Sequence, residues 1–125
     1  MEEKWLPLGF RWSGHHCGLK SDPQKPDYSL VVSDCDAVCA GVYTQNLVCA
    51  APVLWCRERT PMQSARVIVT NSGNANACTG SRGNADAKAM AADIARELGV
   101  ETEQVLVMST GIIGEFLPMD KLKAA

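Results

Sequence analysis

Two apolar runs with one helical pattern between them constrain the fold of this chain more than any other feature. The first run, at residues 65–70, contains a row of consecutive β-branched side chains, and the second, at residues 105–108, is apolar throughout. Short runs of this kind are typical of strands inside a packed sheet. Their order along the chain predicts an α/β fold, with a mixed sheet and packed helices.

Residues 82–98 contain the helical pattern between the two runs. Met90, Ile94 and Leu98 recur at every fourth position and form one apolar stripe. Gly99 follows the last residue of the stripe, where a helix commonly ends in a left-handed residue. The pattern therefore predicts one amphipathic helix that ends before Gly99.

A segment of small polar residues follows each of the two predicted strands. Residues 71–77 follow the first strand and residues 109–114 follow the second. If the strands are parallel neighbours, both segments lie at the same edge of the sheet, where open α/β sheets bind ligands. An antiparallel pairing would require a different return path for the helix.

The rest of the chain predicts shorter elements. We expect an edge strand at 5–12, a polar loop at 20–27, a buried strand at 28–34, a strand at 37–44 that Gly41 interrupts, a helix at 50–59 that begins near Pro52, and the start of a helix at 117–125. The last helix has only about two turns, too few to be stable alone. We therefore expect residues 1–125 to be a single amino-terminal domain and a fragment of a larger assembly.

Composition excludes several classes of protein. The hydrophobic fraction of 46% is ordinary for a globular protein, and the net charge of -2 argues against a nucleic-acid-binding surface. No apolar run approaches the roughly 20 residues that a membrane span needs. The acidic start of the chain lacks the basic and apolar regions of a signal peptide. We expect a soluble, cytoplasmic protein without nucleic-acid or membrane partners.

The six cysteines do not form a recognisable site. They lack a C-x-x-C pair, and most stand next to apolar residues, so buried reduced thiols are the favoured interpretation and no bound metal or cofactor is expected. His15 and His16, next to Cys17, leave open a Cys/His metal protein or an acid–base role.

The segment at residues 109–114 is the best candidate for chemistry. The Thr110 hydroxyl and the Gly111 amide could form an oxyanion hole for acyl transfer, since Gly111 has no side chain that would block a ligand. Pro118 could lie in the first turn of the next helix, and the whole corner would then accept an anion. Two alternatives are a structural turn that needs glycine and a non-catalytic module that binds a small anion.

The asparagines of residues 71–77 allow two interpretations. Asn71, Asn74 and Asn76 could orient a polar substrate or brace the neighbouring corner. Asparagine side chains in loops more often satisfy local backbone groups.

Several motifs together resemble the ornithine acetyltransferase / glutamate N-acetyltransferase family of arginine biosynthesis. They occur in the order of the family and extend over most of the chain: LVVSD at 30–34, AGVYTQN at 40–46, NSGNANACTG at 71–80, STGIIG at 109–114 and LPMDK at 117–121. The resemblance implies a partial αββα-type layered architecture.

The resemblance also implies an activity. Members transfer an acetyl group from N-acetylornithine to glutamate, and some also use acetyl-CoA. The precursor cleaves itself, and the new amino-terminal threonine of the second chain is the nucleophile, with its free amine available as the base. The oxyanion hole of the family falls on Thr110 and Gly111, and an α2β2 hetero-oligomer is implied.

The sequence ends before the cleavage point of the family. The nucleophilic threonine is therefore absent, and we expect these 125 residues alone to be catalytically inert. The histidines at 15 and 16 and most of the cysteines are unusual for the family.

Overall fold

A computed structural model describes residues 7–125, and its centre is a four-stranded mixed sheet in the order β1-β2-β3-β4. The strands β1, β2 and β3 pair antiparallel, whereas β3 and β4 are parallel. The strands are β1 (Phe10–His15), β2 (Tyr28–Cys39), β3 (Met62–Asn74) and β4 (Val105–Ile112), and the helices are α1 (Ala51–Arg57), α2 (Gly80–Leu98) and α3 (Met119–Ala124).

One face of the sheet packs against α2. The α2 side chains Met90 and Ala91 are buried, as are Val69 and its β4 partner Val107. Gly99 ends the helix in the left-handed conformation with φ +66°. Met90, Ala91 and Ala95 of α2 and the β-branched centres of the parallel strands form the core, whereas Leu98, at the end of the predicted stripe, is 37% exposed.

Helix α1 protects the edge of β4 that does not pair with β3. The indole Nε1 of Trp55 donates a hydrogen bond of 2.9 Å to the Val105 carbonyl oxygen. The Cys56 thiol donates to the Val107 carbonyl oxygen at 3.2 Å and accepts from the Val107 amide at 3.4 Å. These bonds satisfy edge groups that would otherwise be open to pairing with another strand.

The other face of the sheet is only partly open to solvent, because Leu106 on this face is buried. Strand register places Trp12, Val31 and Ile68 side by side across it, and Met108 lies on the same face of β4. Trp12 is 49% exposed and Met108 is 54% exposed. In the described part of the chain, no helix is both long and apolar enough to cross a bilayer.

Most of the predicted elements are confirmed. The helix at 82–98, the strands at 28–34, 65–70 and 105–108, and the short helix near Pro52 are all present. The strands at 65–70 and 105–108 are parallel neighbours, as the first of the two topologies required. The predicted first strand lies at the edge of the sheet but runs from Phe10 to His15, and Trp5 and Leu6 fall outside the described residues.

Three predicted boundaries are wrong. The strand expected at 37–44 ends at Cys39, because pairing of β2 with β3 stops at the Cys39–Met62 partners. Residues 71–74 and 109–112 were expected to be loop or turn, but they belong to β3 and β4. Parallel pairing continues through these small residues, so the pairing overrides their local preference for turns.

We expect Trp55→Phe to lower the free energy of unfolding by about 2 kcal/mol, because the buried Val105 carbonyl would lose its donor. Trp12→Phe, at a half-exposed position on β1, should change it by less than about 0.5 kcal/mol. Urea denaturation of both variants followed by circular dichroism measures the difference. Equal losses in the two variants would contradict the role assigned to the Trp55 hydrogen bond.

Candidate functional site at the carboxyl edge of the parallel strands

The two polar segments meet at one edge of the sheet. Asn71 is the register partner of Ser109, Ser72 of Thr110, and Gly73 of Gly111. The sequence-based expectation that both segments share the carboxyl edge of parallel strands is therefore confirmed. We call these six residues the strand-end site.

Gly111 has a backbone conformation and surroundings that require glycine. Its φ is +134°, which side-chain-bearing residues rarely adopt. A Cβ atom there would overlap the carbonyl carbon of Gly73 and lie 2.5 Å from the Asn74 amide nitrogen. Gly73 in turn has φ +124°. The ends of β3 and β4 thus approach each other at a distance that leaves no room for a side chain on Gly111.

Thr110 and Gly111 are both exposed. Side chains alternate along β4, so Thr110 lies on the same sheet face as the buried Leu106 and the exposed Met108. Backbone groups alternate as well: Val105 and Val107 direct their carbonyls to α1, whereas Ile112 directs its carbonyl to Ala75 after β3. This alternation predicts that the Gly111 amide faces the edge of β4 that does not pair with β3.

The predicted corner of strand, glycine turn and helix is not present in that form. Strand β4 continues to Ile112, and α3 begins only at Met119, with Pro118 as its N-cap residue instead of a first-turn residue. The amino-terminal end of α3 is therefore separated in sequence from Thr110 and Gly111.

The asparagine side chains brace this edge and do not project from it. Asn71 is fully buried, donates to the Asn74 carbonyl and accepts from the Ser109 hydroxyl at 2.5 Å. Asn74 donates to the carbonyls of Glu115 and Phe116, in the loop after β4. The bracing interpretation of these asparagines is therefore the one that the contacts support.

Asn76 braces the start of α2 in the same way. Its amide donates to the Gly83 carbonyl at 2.9 Å, and its side-chain oxygen accepts from the Thr79 hydroxyl at 2.8 Å. Asn76 is completely buried and has φ +47°. It holds the connection between β3 and α2 rather than a ligand.

A cleft of about 380 Å³ lies beside the strand-end site. It lies between the segment after β2, the first turn of α1 and strand β4, and it is lined by Tyr43, Pro52, Cys56, Ile68, Met108 and Ser109 among others. Its walls are mostly apolar, and the Tyr43 hydroxyl is hydrogen-bonded to the Thr60 hydroxyl. The cleft reaches Ser109 but is not lined by Thr110 or Gly111.

Asp27 is a buried carboxylate at the end of the segment 20–27, for which the sequence predicted only a polar loop. Its side chain is fully buried and accepts hydrogen bonds from the amides of Cys17, Leu19 and Lys20 at 2.6–2.8 Å. Burial alone would raise its pKa, but these donors outweigh burial and lower the pKa to about 2. The only sequence signal was one acidic residue directly before a buried strand.

The cysteines and histidines do not gather into a site. Cys56 is buried, Cys35 and Cys78 are exposed, and the other three are half-buried, so the expectation that most are buried is wrong. Within residues 7–125, no three His, Cys, Asp or Glu side chains are placed to share a metal ion. Burial and the neighbouring Asp27 raise the pKa of the Cys17 thiol to about 11.

The two histidines contact structural groups. His15 packs edge-on against the Tyr28 ring, with 6.1 Å between ring centroids. His16 Nδ1 lies 3.2 Å from the Asp27 carboxylate. His16 Nδ1 also lies 3.1 Å from the Lys25 carbonyl oxygen, so this ring is held within the loop before β2.

Comparison with known proteins identifies close relatives. The sequence model of the ArgJ family matches residues 11–125. The chain is 50% identical over 119 residues to the arginine biosynthesis bifunctional protein ArgJ of Rhodopirellula baltica, a match that covers 95% of this chain and 29% of that protein. It is 43% identical over 118 residues to the chloroplastic protein of the same name from Ostreococcus lucimarinus, covering 94% and 26%. The chain thus spans between a quarter and a third of the length of these curated relatives.

Two solved structures have the same fold. The arginine biosynthesis bifunctional protein ArgJ of Bacillus halodurans superposes with a TM-score of 0.88 at 41% identity, over 94% of this chain and 61% of that one. Ornithine acetyltransferase from Mycobacterium tuberculosis, crystallised with ornithine, superposes with a TM-score of 0.90 at 44% identity, over 94% and 64%. The α/β fold with a mixed sheet and packed helices is therefore confirmed.

We expect Gly111→Ala to lower the free energy of unfolding by at least ~3 kcal/mol, through backbone strain and overlap with Gly73. Gly14→Ala is the matched control, because a Cβ on that strand glycine meets only ordinary contacts of 3.5–3.7 Å. The control should change stability by less than about 1 kcal/mol. A tolerated Gly111→Ala, measured by thermal and urea denaturation, would show that the close approach to Gly73 is not needed.

Asp27 should stabilise the fold above its unfolded pKa of 3.8, and this contribution should be lost as the pH falls towards 2. The sign follows from the lowered pKa in the folded state, and the size is about 2 kcal/mol. We expect the stability difference between the wild type and Asp27→Asn to shrink by this amount between pH 5 and pH 2. A difference that is independent of pH, in denaturation curves at each pH, would contradict the assignment.

Proposed function

The chain belongs to the ArgJ family, and from that premise we propose that it forms the amino-terminal part of an acetyltransferase of arginine biosynthesis. In the proposed reaction an acetyl group moves from N-acetylornithine, or from acetyl-CoA, to glutamate. The names of the relatives support the pathway, and the ornithine complex of the Mycobacterium tuberculosis relative supports an ornithine-like substrate.

The proposed role of this chain is to stabilise negative charge on the acetyl carbonyl oxygen. When a nucleophile attacks the carbonyl carbon, the oxygen becomes an anion, and fixed donors lower the barrier. Thr110 supplies a hydroxyl and Gly111 an amide, and the close packing of Gly111 on Gly73 fixes that amide before substrate arrives. This packing is the observation on which the proposal chiefly rests.

The attacking group in this proposal comes from outside these residues. The family resemblance implies a second chain whose amino-terminal threonine attacks the acetyl carbonyl and whose free amine takes the hydroxyl proton. Oxyanion donors act most strongly where water is excluded, whereas Thr110 and Gly111 are exposed here. Exposed apolar neighbours, Ile112 at 55% and Ile113 at 66%, support burial of this edge by the second chain. The α2β2 assembly, the absence of a cofactor and the cytoplasmic location stay predictions.

A small-anion-binding module without catalysis is the alternative. It would have used the positive end of the helix after β4, but that helix begins at Met119, after the loop that follows the strand. The alternative therefore has less support than acyl transfer.

Replacement of Thr110 by alanine tests the proposal in the protein expressed at the full length of its relatives. We expect kcat for acetyl transfer to fall by about 10²–10³-fold with little change in KM, because the lost donor acts on charge that develops only in the transition state. Steady-state kinetics with N-acetylornithine and glutamate measure both constants.

Thr102→Ala is the matched control, because Thr102 lies outside β4, in the 3-10 turn that precedes it. It should leave both constants unchanged. A Thr110→Ala enzyme with full kcat would refute the oxyanion role. A loss confined to substrate affinity would favour the anion-binding module instead.

A further inference from the structure

A short loop lies directly behind the glycine pair of the strand-end site. We call residues 16–20 the supporting loop. A Cβ built on Gly73 would lie 3.2 Å from the Leu19 Cβ and 3.4 Å from the Leu19 carbonyl carbon. Gly73 is therefore held between Leu19 on one side and Gly111 on the other, and the position of the supporting loop limits where Gly73 can lie.

Asp27 fixes this loop and the adjoining strand at the same time. Its carboxylate accepts three amides of the supporting loop, one through Oδ1 and two through Oδ2. Its backbone carbonyl accepts a hydrogen bond of 2.8 Å from the amide of Ser72, the residue before Gly73. One buried residue thus sets the distance between the loop and the end of β3.

A second tie joins the supporting loop to the segment that follows the site. The Lys121 ammonium on α3 donates to the Gly18 carbonyl at 2.8 Å. This bond is exposed, so it is weaker than the bonds to the buried Asp27. The loop is therefore held mainly from the Asp27 side.

We propose that Asp27 is a positioning residue for acetyl transfer, which holds Leu19 against Gly73 and so fixes the Gly111 amide where the carbonyl oxygen develops its charge. The inference rests on the oxyanion role proposed above. Asp27 itself touches neither substrate nor reacting atoms. Its effect is transmitted through two places where a glycine has little free space around it, Gly73 beside Leu19 and Gly111 beside Gly73.

The test is Asp27→Asn in the protein expressed at full length. The amide keeps the shape of the side chain but replaces one acceptor oxygen with a donor, so the loop loses some of its three bonds. We expect kcat to fall by about 10–100-fold, the size of loss that a misplaced catalytic donor causes, with KM within a factor of about 3. Asp34→Asn is the matched control, since Asp34 is an exposed carboxylate paired with Arg11, and it should keep the wild-type kcat.

A double-mutant cycle separates positioning from general destabilisation. Asp27 and Thr110 act on the same developing charge in this proposal, so the loss in Asp27→Asn/Thr110→Ala should be smaller than the product of the single losses. If Asp27→Asn acted only by general destabilisation, the two single losses of kcat would multiply in the double variant. That result would overturn the proposal.

Lys121→Met provides a second variant if Asp27→Asn does not fold. It removes only the exposed tie to Gly18, and we expect a smaller fall in kcat, of about 2–5-fold, at unchanged KM and thermal stability. An unchanged kcat in Lys121→Met, with Asp27→Asn unfolded, would overturn the proposal. A Thr110→Ala enzyme with full activity would refute the proposed function itself. A folded Asp27→Asn enzyme with full kcat, beside an impaired Thr110→Ala enzyme, would refute only the positioning role.

Discussion

The structure depends on the parallel pairing of β3 with β4, and most of all on the contact between Gly73 and Gly111. Without this pairing, β3 and β4 would not lie side by side, and the polar residues at their carboxyl ends would not meet. The contact leaves no room for a side chain on Gly111, and Leu19 closes the outer side of Gly73. Two adjacent strand ends are thereby fixed by packing rather than by a flexible turn.

The hydrogen bonds of α1 account for a difference between the two ends of β4. Near the start of the strand, Trp55 and Cys56 of α1 occupy its outer edge and satisfy the backbone groups of Val105 and Val107. Beyond Val107, the strand continues to Ile112 through residues that are mostly exposed. The backbone of β4 is therefore rigid where it leaves the core, yet its last residues are accessible. That combination suits donors that must be fixed and still reach a ligand.

The sequence predicted the elements whose signal is local. The apolar stripe of Met90, Ile94 and Leu98 predicted α2, and Gly99 predicted its end. β-Branched residues predicted the centres of β2 and β3. The parallel pairing was one of two topologies that the order of elements allowed, and the helical return path between the strands favours it.

The strand ends were less predictable because their conformation depends on partners distant in sequence. Asn, Ser and Gly favour turns in isolation, so residues 71–74 and 109–112 were expected to be turns. In the folded protein, Gly73 and Gly111 permit the strands to continue side by side. Asp27 was missed for the same reason, because its three donors at residues 17, 19 and 20 become its neighbours only after folding.

The hydrogen bonds of the strand-end site separate its structural residues from those free to act on a ligand. Asn71, Asn74 and Asn76 form the most distinctive part of the sequence, yet all three are buried and bonded within the protein. Their side-chain amides donate hydrogen bonds to backbone carbonyls and so hold separate segments together. What this bracing leaves exposed is the pair Thr110 and Gly111. An unusual motif can therefore mark a functional edge even when most of its side chains only support it, and the candidates for chemistry are the groups that the internal bonds leave unused.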